Sequence, residues 1–177
     1  KISNKNKIHL HLMVANLDQE EKANKYIKYY ANLGADYIGL HSRSFSNYKN
    51  LEIGICKILS LKKKPGIFLE VNEEINDEIS NLILKYKIDW IVFMGVPLGY
   101  GGQLFHYSII SNILKTQSYF KKKNFKINYE IDGGLTLDVI KSLKKYNIKY
   151  YSGWSVVNGR SIKEISRKLG KVLSIIK

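Results

Sequence analysis

Six short apolar segments, each followed by a stretch of helical periodicity, are the feature that most constrains the fold of this chain. The segments are rich in β-branched and aromatic residues, which favours β-strands. They are residues 8–14, 36–41, 66–71, 89–96, 127–132 and 149–154. Because a return to a parallel neighbour needs a crossover of a dozen or more residues, the alternation of strand and helix predicts a parallel sheet.

The intervening segments carry helix signals at their faces and ends. In residues 19–35, apolar side chains such as Ile27 and Tyr30 fall on one face, and Gly34 follows as a C-terminal stop. After the fifth strand, Thr136 stands where a helix N-cap is expected.

The size of the repeat limits the architecture. Six units in 177 residues give about 30 residues per βα unit, and no linker or low-complexity segment interrupts them. We therefore expect an α/β fold in a single domain, residues 1–177. Two architectures fit, an open doubly wound sheet or part of a closed (β/α)8 barrel. In a barrel, functional residues lie at the C-terminal ends of the strands, where this chain places His11, His41, Asp132 and its glycine clusters.

The net charge of +14 raises the question of nucleic-acid binding. Only three of the 29 basic residues are arginine, and the lysines are spread over nearly every predicted element. This distribution predicts no specific nucleic-acid partner, although it favours attraction to anionic small molecules. No apolar run is long enough to span a bilayer, so no membrane association is expected.

A single cysteine, Cys56, excludes an internal disulfide framework and fits a reducing environment. We expect a soluble, cytoplasmic protein in which Cys56 is a small buried residue on a helix.

Asp132 ends the fifth predicted strand and is followed by Gly133 and Gly134. Two interpretations are open. Asp132 could cap the next helix. Alternatively, its carboxylate could bind a metal or move a proton, while the two glycines let backbone N–H groups approach an anion.

Glycines follow three consecutive strands. The clusters are Gly99, Gly101 and Gly102 in "GYGG", Gly133 and Gly134, and Gly153. One such loop is weak evidence for phosphate binding, but adjacent strand ends of a barrel meet at one rim. Their backbone amides could therefore surround one phosphate group.

His9 and His11 are two residues apart on the first strand and so point to the same face. His11 suits a divalent metal if Asp132 lies across the same barrel mouth. His9, earlier in the strand, is expected deeper in the barrel or toward its bottom layer, and His41 is either pocket-lining or structural.

Met13 and Met94 each close a predicted strand. They could fill the core, or their thioethers could form an unreactive wall beside a developing enediolate.

The segments "HLHLMV", "LGADYIGLH", "FMGVPLGYGGQLF" and "YEIDGGLTLDVI" occur in an order and at separations that resemble ribulose-phosphate 3-epimerases. The resemblance covers nearly the whole chain. It implies a (β/α)8 TIM barrel of the ribulose-phosphate binding type, of which this chain supplies about six βα units, the third to the eighth.

The resemblance also implies the chemistry. Members of that family invert carbon 3 of a ketopentose phosphate with a pair of aspartates and a divalent metal, usually zinc, with iron, manganese or cobalt as alternatives. By this resemblance His11 and Asp132 are metal ligands, and Asp132 is one catalytic acid/base. Substrate or phosphate would contact His11, Met13, Met94, Gly99, Tyr100, Gly101, Gly102, Asp132, Gly133, Gly134, Gly153, Trp154 and Ser155.

Several positions depart from the family pattern. The family has an aspartate at the position of His9, a glutamate within the "HSRS" segment, and Asn-Pro at Pro97-Leu98. Trp154 replaces a small hydroxyl residue. We expect that the first two βα units of the family, which carry another histidine ligand and the second aspartate, either precede Lys1 or are missing.

The resemblance therefore predicts an isomerase, ribulose-phosphate 3-epimerase, that interconverts ribulose 5-phosphate and xylulose 5-phosphate in the pentose phosphate pathway. Two alternatives stay open, a ketohexose 6-phosphate 3-epimerase and a non-catalytic barrel relative that binds a sugar phosphate. The expected partner is a small sugar phosphate, and assembly into a homo-oligomer is left open.

Overall fold

The computed structural model describes residues 7–153 and 158–176, in which strands and helices alternate. The strands are β1 (His9–Leu12), β2 (Tyr37–His41), β3 (Lys64–Leu69), β4 (Trp90–Met94), β5 (Asn128–Asp132) and β6 (Tyr150–Ser152). The helices are α1 (Glu20–Asn32), α2 (Tyr48–Ser60), α3 (Asp77–Lys85), α4 (Ile109–Lys122), α5 (Leu137–Leu143) and α6 (Ile162–Ile176). Short 3-10 turns occupy Ser42–Ser44 and Lys144–Tyr146. All six predicted strands are present, most of them shorter than their apolar segments.

The chain divides into two compact units. The first comprises Lys1–Leu69 and Ile75–Ile91, and the second comprises Glu70–Glu74 and Val92–Lys177. The division falls within β4. One domain over residues 1–177 stays a prediction.

Within each unit, strands that follow one another in the sequence are neighbours in the sheet. In the first unit the order is β1-β2-β3 and then the start of β4, with His11 opposite Gly39 and Gly39 opposite Gly66 in parallel register. In the second unit the order is the end of β4, β5 and β6, and β6 is parallel to β5. A doubly wound sheet reverses its strand order at a switch point, and neither unit does so among its described strands. Of the two predicted architectures, this winding favours the barrel type.

Residues with known capping preferences mark the start of α5 and the end of α1. Thr136, the predicted N-cap of α5, accepts a hydrogen bond from the Val139 N–H at 3.2 Å. Gly34 follows α1 with φ +106°, the backbone conformation of a glycine helix stop. Among the described residues, no helix has the length and apolarity that a bilayer crossing requires.

Glycine and aromatic residues interlock on one face of the first unit's sheet. A Cβ atom at Gly39 would lie 1.9 Å from the Phe68 ring, and one at Gly66 would lie 2.0 Å from the Trp90 indole. Both rings are almost fully buried. Each ring therefore occupies the space that a side chain on a neighbouring strand would otherwise fill.

We expect Gly39→Ala to lower the free energy of unfolding by about 1–3 kcal/mol, because the new methyl group overpacks against Phe68. The loss should be smaller in a Phe68→Leu background, where the ring is absent, and a double-mutant cycle by urea denaturation measures this coupling. Gly170→Ala is the control, since an exposed helical glycine with open space around it should be neutral or up to about 1 kcal/mol stabilising. Additive losses in the double variant would contradict the interlock.

Asp36 ties the segment that enters β1 to the start of β2. Its carboxylate accepts the Ile8 N–H at 3.0 Å and a hydrogen bond from the Lys7 ammonium at 3.3 Å. The hydrogen bond from the Ile8 N–H is the main cause that holds the Asp36 pKa below its usual value.

Because this pKa is lower in the folded chain than in the unfolded chain, the carboxylate stabilises the fold above the unfolded pKa of 3.8. The stabilisation is lost as the pH falls through the folded pKa. We expect Asp36→Asn to lower the thermal unfolding midpoint near neutral pH, and the gap from wild type to close as the pH falls below about 4. Thermal scans from pH 7 to pH 3 measure the gap, and a gap that stays constant over this range would contradict the assignment.

Cys56 is exposed on α2, so the prediction of a buried residue is wrong. Its thiol lies 3.4 Å from the Tyr86 hydroxyl, which donates a 2.7 Å hydrogen bond to Glu52. The buried face of α2 is formed by Leu51, Gly54, Ile55 and Ile58, and Cys56 lies outside it. The prediction failed because it rested on the small apolar character of cysteine rather than on the position of Cys56 in the helix.

Candidate functional site

Two histidines converge at the C-terminal ends of β1 and β2. The Nε2 atoms of His11 and His41 lie 2.5 Å apart, and the side chain of His41 is only 2% exposed. Phe68 stacks on the His11 ring, with centroids 3.8 Å apart and planes inclined by 15°. The sequence left His41 as pocket-lining or structural, whereas the structure makes it the direct neighbour of His11.

The opposite end of the same strands carries a different polar group. Lys64 donates hydrogen bonds to the Tyr37 hydroxyl at 3.0 Å and to Asp89 at 3.1 Å, and these contacts, Tyr37 first, raise the pKa of the lysine. His9, the first residue of β1, lies at this same end in register with Tyr37, and its ring centroid is 4.4 Å from that of Tyr37 and 4.6 Å from that of Trp90. His9 is therefore packed among aromatic rings toward the N-terminal end of the strands, and it is half-buried, as His11 is.

Asp132 lies half-buried at the C-terminal end of β5, in the second unit. The helix that follows is capped by Thr136, so the interpretation of Asp132 as the cap is excluded. The Asp132 carbonyl accepts the Gly95 N–H at 2.6 Å, which holds the strand end beside the end of β4.

Tyr129 is the buried titratable residue of β5, whereas Glu130 and Asp132 are half-buried. Burial raises its pKa to about 12, so its phenol stays protonated near neutral pH and does not act there as a base.

The turn after Asp132 packs tightly against the end of β4 and the start of the segment beyond the glycine loop. Gly133 and Gly134 have φ +94° and +66°, a region that favours glycine. A Cβ at Gly133 would lie 2.6 Å from Val96, and one at Gly134 would lie 2.8 Å from the Phe105 Cα. The two glycines are thus required by close packing as well as by conformation.

Residues 97–104 form the glycine loop. Gly99 and Gly102 have φ +141° and +84°. The side-chain amide of Gln103 donates hydrogen bonds to the carbonyls of Pro97 and Tyr100, both at 2.8 Å. The loop is therefore held by Gln103, while its glycines supply the turns.

Within the second unit, residues that flank the predicted glycine clusters lie close to one another. Val96 and Phe105 flank the glycine loop and contact Gly133 and Gly134. Gly153, after β6, faces Leu135 of the same turn, and the Gly133 N–H donates to the Ser152 carbonyl at 2.9 Å. Since that N–H is engaged, Gly133 itself adds no amide donor for an anion.

The remaining predicted residues fall in different places. Met13 follows β1 and is 63% exposed, whereas Met94 ends β4 and is buried. Trp154 and Ser155 lie outside the described residues. His11 and Met13 belong to the first unit, and the other described site residues belong to the second.

The described residues contain no group of three or more His, Cys, Asp or Glu side chains arranged to hold a metal ion. The pair of converging imidazole nitrogens nevertheless fits a divalent transition metal, because neutral imidazole is a preferred ligand for zinc and its neighbours.

Comparison with known proteins identifies the family. Residues 1–156 match the family model described as the ribulose-phosphate 3 epimerase family. The chain belongs to this family. The two histidines, the glycine loop and the Asp132 turn all lie within the matched residues.

Curated relatives carry the same family name at modest identity. The chain is 28% identical over 134 residues to ribulose-phosphate 3-epimerase of Synechocystis sp., covering 74% of the chain and 53% of that protein. It is 26% identical over 150 residues to the Mycobacterium leprae protein of that name, covering 84% of the chain and 61% of the relative. For the Buchnera aphidicola relative the values are 27% identity over 175 residues, 94% and 70%. The chain thus spans between about half and about two thirds of the length of these relatives.

Solved structures confirm the fold class. A 3-hexulose-6-phosphate synthase structure matches with a TM-score of 0.62 at 10% identity, covering 93% of the chain and 73% of that structure. KGPDC from Streptococcus mutans matches with a TM-score of 0.58 at 13% identity and the same coverage. The predicted α/β fold, about six βα units of a TIM-barrel type, is confirmed.

We expect Gly134→Ala to lower the free energy of unfolding by about 1–3 kcal/mol, because alanine would have to adopt φ +66° with its Cβ against the Phe105 backbone. Gly101→Ala is the matched control, since nothing lies within 4 Å of its Cβ position, and a change within about 0.5 kcal/mol is expected. Urea denaturation measures both. Equal effects of the two substitutions would contradict the role of packing at the Asp132 turn.

Proposed function

We propose that this chain carries the catalytic portion of a ribulose-phosphate 3-epimerase, which interconverts ribulose 5-phosphate and xylulose 5-phosphate. Family membership and the names of the curated relatives support the proposal. The observation that carries it is Asp132, a half-buried carboxylate at the end of β5. It does not cap the next helix, because Thr136 does, and it is followed by Gly133 and Gly134, which pack against Val96 and Phe105 beside the glycine loop.

The proposed chemistry begins at the carboxylate of Asp132. It takes the proton from carbon 3, the C–H bond breaks, and its electron pair moves toward the adjacent carbonyl to give an enediolate. A second acid then returns a proton to the opposite face, which inverts the centre. A divalent metal, when bound, supplies positive charge that favours loss of this proton.

His11 and Asp132 would hold that metal, with zinc the first candidate and iron, manganese or cobalt the alternatives. The nitrogen of His11 and the carboxylate of Asp132 are a donor set that each of these ions accepts. Met13 and Met94 would line the reacting part of the sugar.

Backbone amides of the second unit would bind the phosphate group. Under this proposal the donors come from the loop Gly99, Tyr100, Gly101 and Gly102, from Gly134, and from the segment after β6 with Gly153, Trp154 and Ser155. Gly133 would contribute through its conformation, because its N–H donates to Ser152. Backbone amides suit a phosphate dianion without an obligatory lysine.

The proposal assigns the reaction to the pentose phosphate pathway of the cytoplasm. The single cysteine of the sequence agrees with a reducing compartment. The proposed partner is a small sugar phosphate. A homo-oligomer is the other partner that the sequence left open, and a measurement of molar mass in solution tests it.

We expect Asp132→Asn to reduce epimerisation of ribulose 5-phosphate by about 10²–10⁴-fold, because the amide cannot accept the carbon-3 proton. The same substitution should abolish exchange of deuterium from D₂O into carbon 3, which NMR measures independently of the second proton transfer. Asp138→Asn is the control, since that carboxylate lies six residues on and is 93% exposed on α5.

Other outcomes would contradict specific parts of the proposal. Full turnover in Asp132→Asn would remove Asp132 from the mechanism. Turnover of a ketohexose 6-phosphate without turnover of the pentose would favour the alternative epimerase. Binding of both sugars without deuterium exchange would favour a non-catalytic relative.

A further inference from the structure

The pair formed by His11 and His41 has a geometry that ordinary core packing does not require. The two Nε2 atoms face each other at 2.5 Å, while the ring centroids lie 4.8 Å apart with planes inclined by 31°. Each ring therefore directs its Nε2 atom toward a common point at the C-terminal ends of β1 and β2.

Packing holds both rings in this orientation. Phe68 stacks on His11 and also contacts His41, with a centroid distance of 5.1 Å. Gly39 makes room for Phe68, because a Cβ there would collide with its ring. The two imidazole rings are thus held in place by packing against Phe68. Ligands that are already oriented lose less conformational entropy when a cation binds.

The separation of the nitrogens is close to that of two imidazole ligands on one ion. With metal–nitrogen bonds of about 2.0–2.1 Å in a tetrahedral site, two nitrogens lie about 3.3 Å apart. An opening of less than about 1 Å would therefore convert the hydrogen-bonded pair into a pair of ligands. Once Nε2 binds the ion, the ring proton of each neutral histidine is carried on Nδ1.

We propose that His41 is a metal ligand beside His11, so that the two histidines form a binding half-site for one divalent transition-metal ion. This inference rests on the proposed function, which places a metal at His11. It adds a second histidine ligand, His41, which ends β2. His41 thereby supplies an imidazole in a chain whose described residues hold no larger ligand cluster.

The test uses binding of Co²⁺ and Zn²⁺ to the chain, with His41→Gln, His11→Gln and His106→Gln compared with wild type. Titration calorimetry gives the Kd, and the visible spectrum of bound Co²⁺ reports its ligands. We expect at least about a tenfold increase in Kd for His41→Gln and for His11→Gln. His106→Gln, an exposed histidine outside the pair, should change Kd by less than about twofold.

A second measurement separates ligation from a structural effect of removing a buried ring. In two-bond ¹H–¹⁵N spectra of wild type, addition of Zn²⁺ should shift the Nε2 resonances of both His11 and His41 and leave those of His9 and His106 in place. Circular dichroism and thermal unfolding without metal show whether each variant is folded.

The outcomes distinguish this inference from the proposed function. Weak binding in His11→Gln with wild-type binding in His41→Gln, or a Zn²⁺ shift at His11 alone, would overturn the role of His41 and leave the metal at His11 intact. Wild-type Kd in both variants, or no binding by wild type, would overturn the histidine half-site and the proposed metal dependence together. Loss of epimerase activity in Asp132→Asn is measured separately and does not depend on His41.

Discussion

Parallel hydrogen bonding between strands in chain order is the constraint on which the rest of the structure depends. Because every strand of a unit runs the same way, the C-terminal ends of neighbouring strands meet at one edge. In the first unit this edge holds His11 and His41, and in the second it holds Asp132 and the glycine turns. The opposite edge of the first unit holds the Tyr37–Lys64–Asp89 contacts, so the two ends of its strands have different chemistry.

Glycine serves two physical purposes in this chain. Gly39 and Gly66 have no side chain, and the rings of Phe68 and Trp90 occupy the space beside them. These two glycines therefore serve the packing of the core. Gly99 and Gly102 stand in open space and supply positive φ angles for a loop. A cluster of glycines is therefore evidence of a phosphate site only after packing has been accounted for, and the Asp132 turn shows both causes at once.

The two histidines and the aspartate also differ in what explains them. Core packing accounts for His9, which lies among the Tyr37 and Trp90 rings. It does not account for the convergence of the His11 and His41 Nε2 atoms on one point. Helix capping does not account for Asp132, because Thr136 caps the helix that follows β5. Family membership agrees with a chemical explanation for these residues, and the proposals give each of them a definite role.

The sequence by itself determined the six strands, their parallel arrangement, the Thr136 cap and the strand-end positions of His11, Asp132 and the glycines. These follow from short-range patterns, because alternation of apolar strands with crossover helices admits few topologies. Only the tertiary structure decided that Cys56 is exposed, that Met13 is exposed while Met94 is buried, that Gly133 uses its N–H on Ser152, and that His41 faces His11. Each of those outcomes depends on which side chain of a distant segment fills a given space, and local periodicity carries no information about that partner.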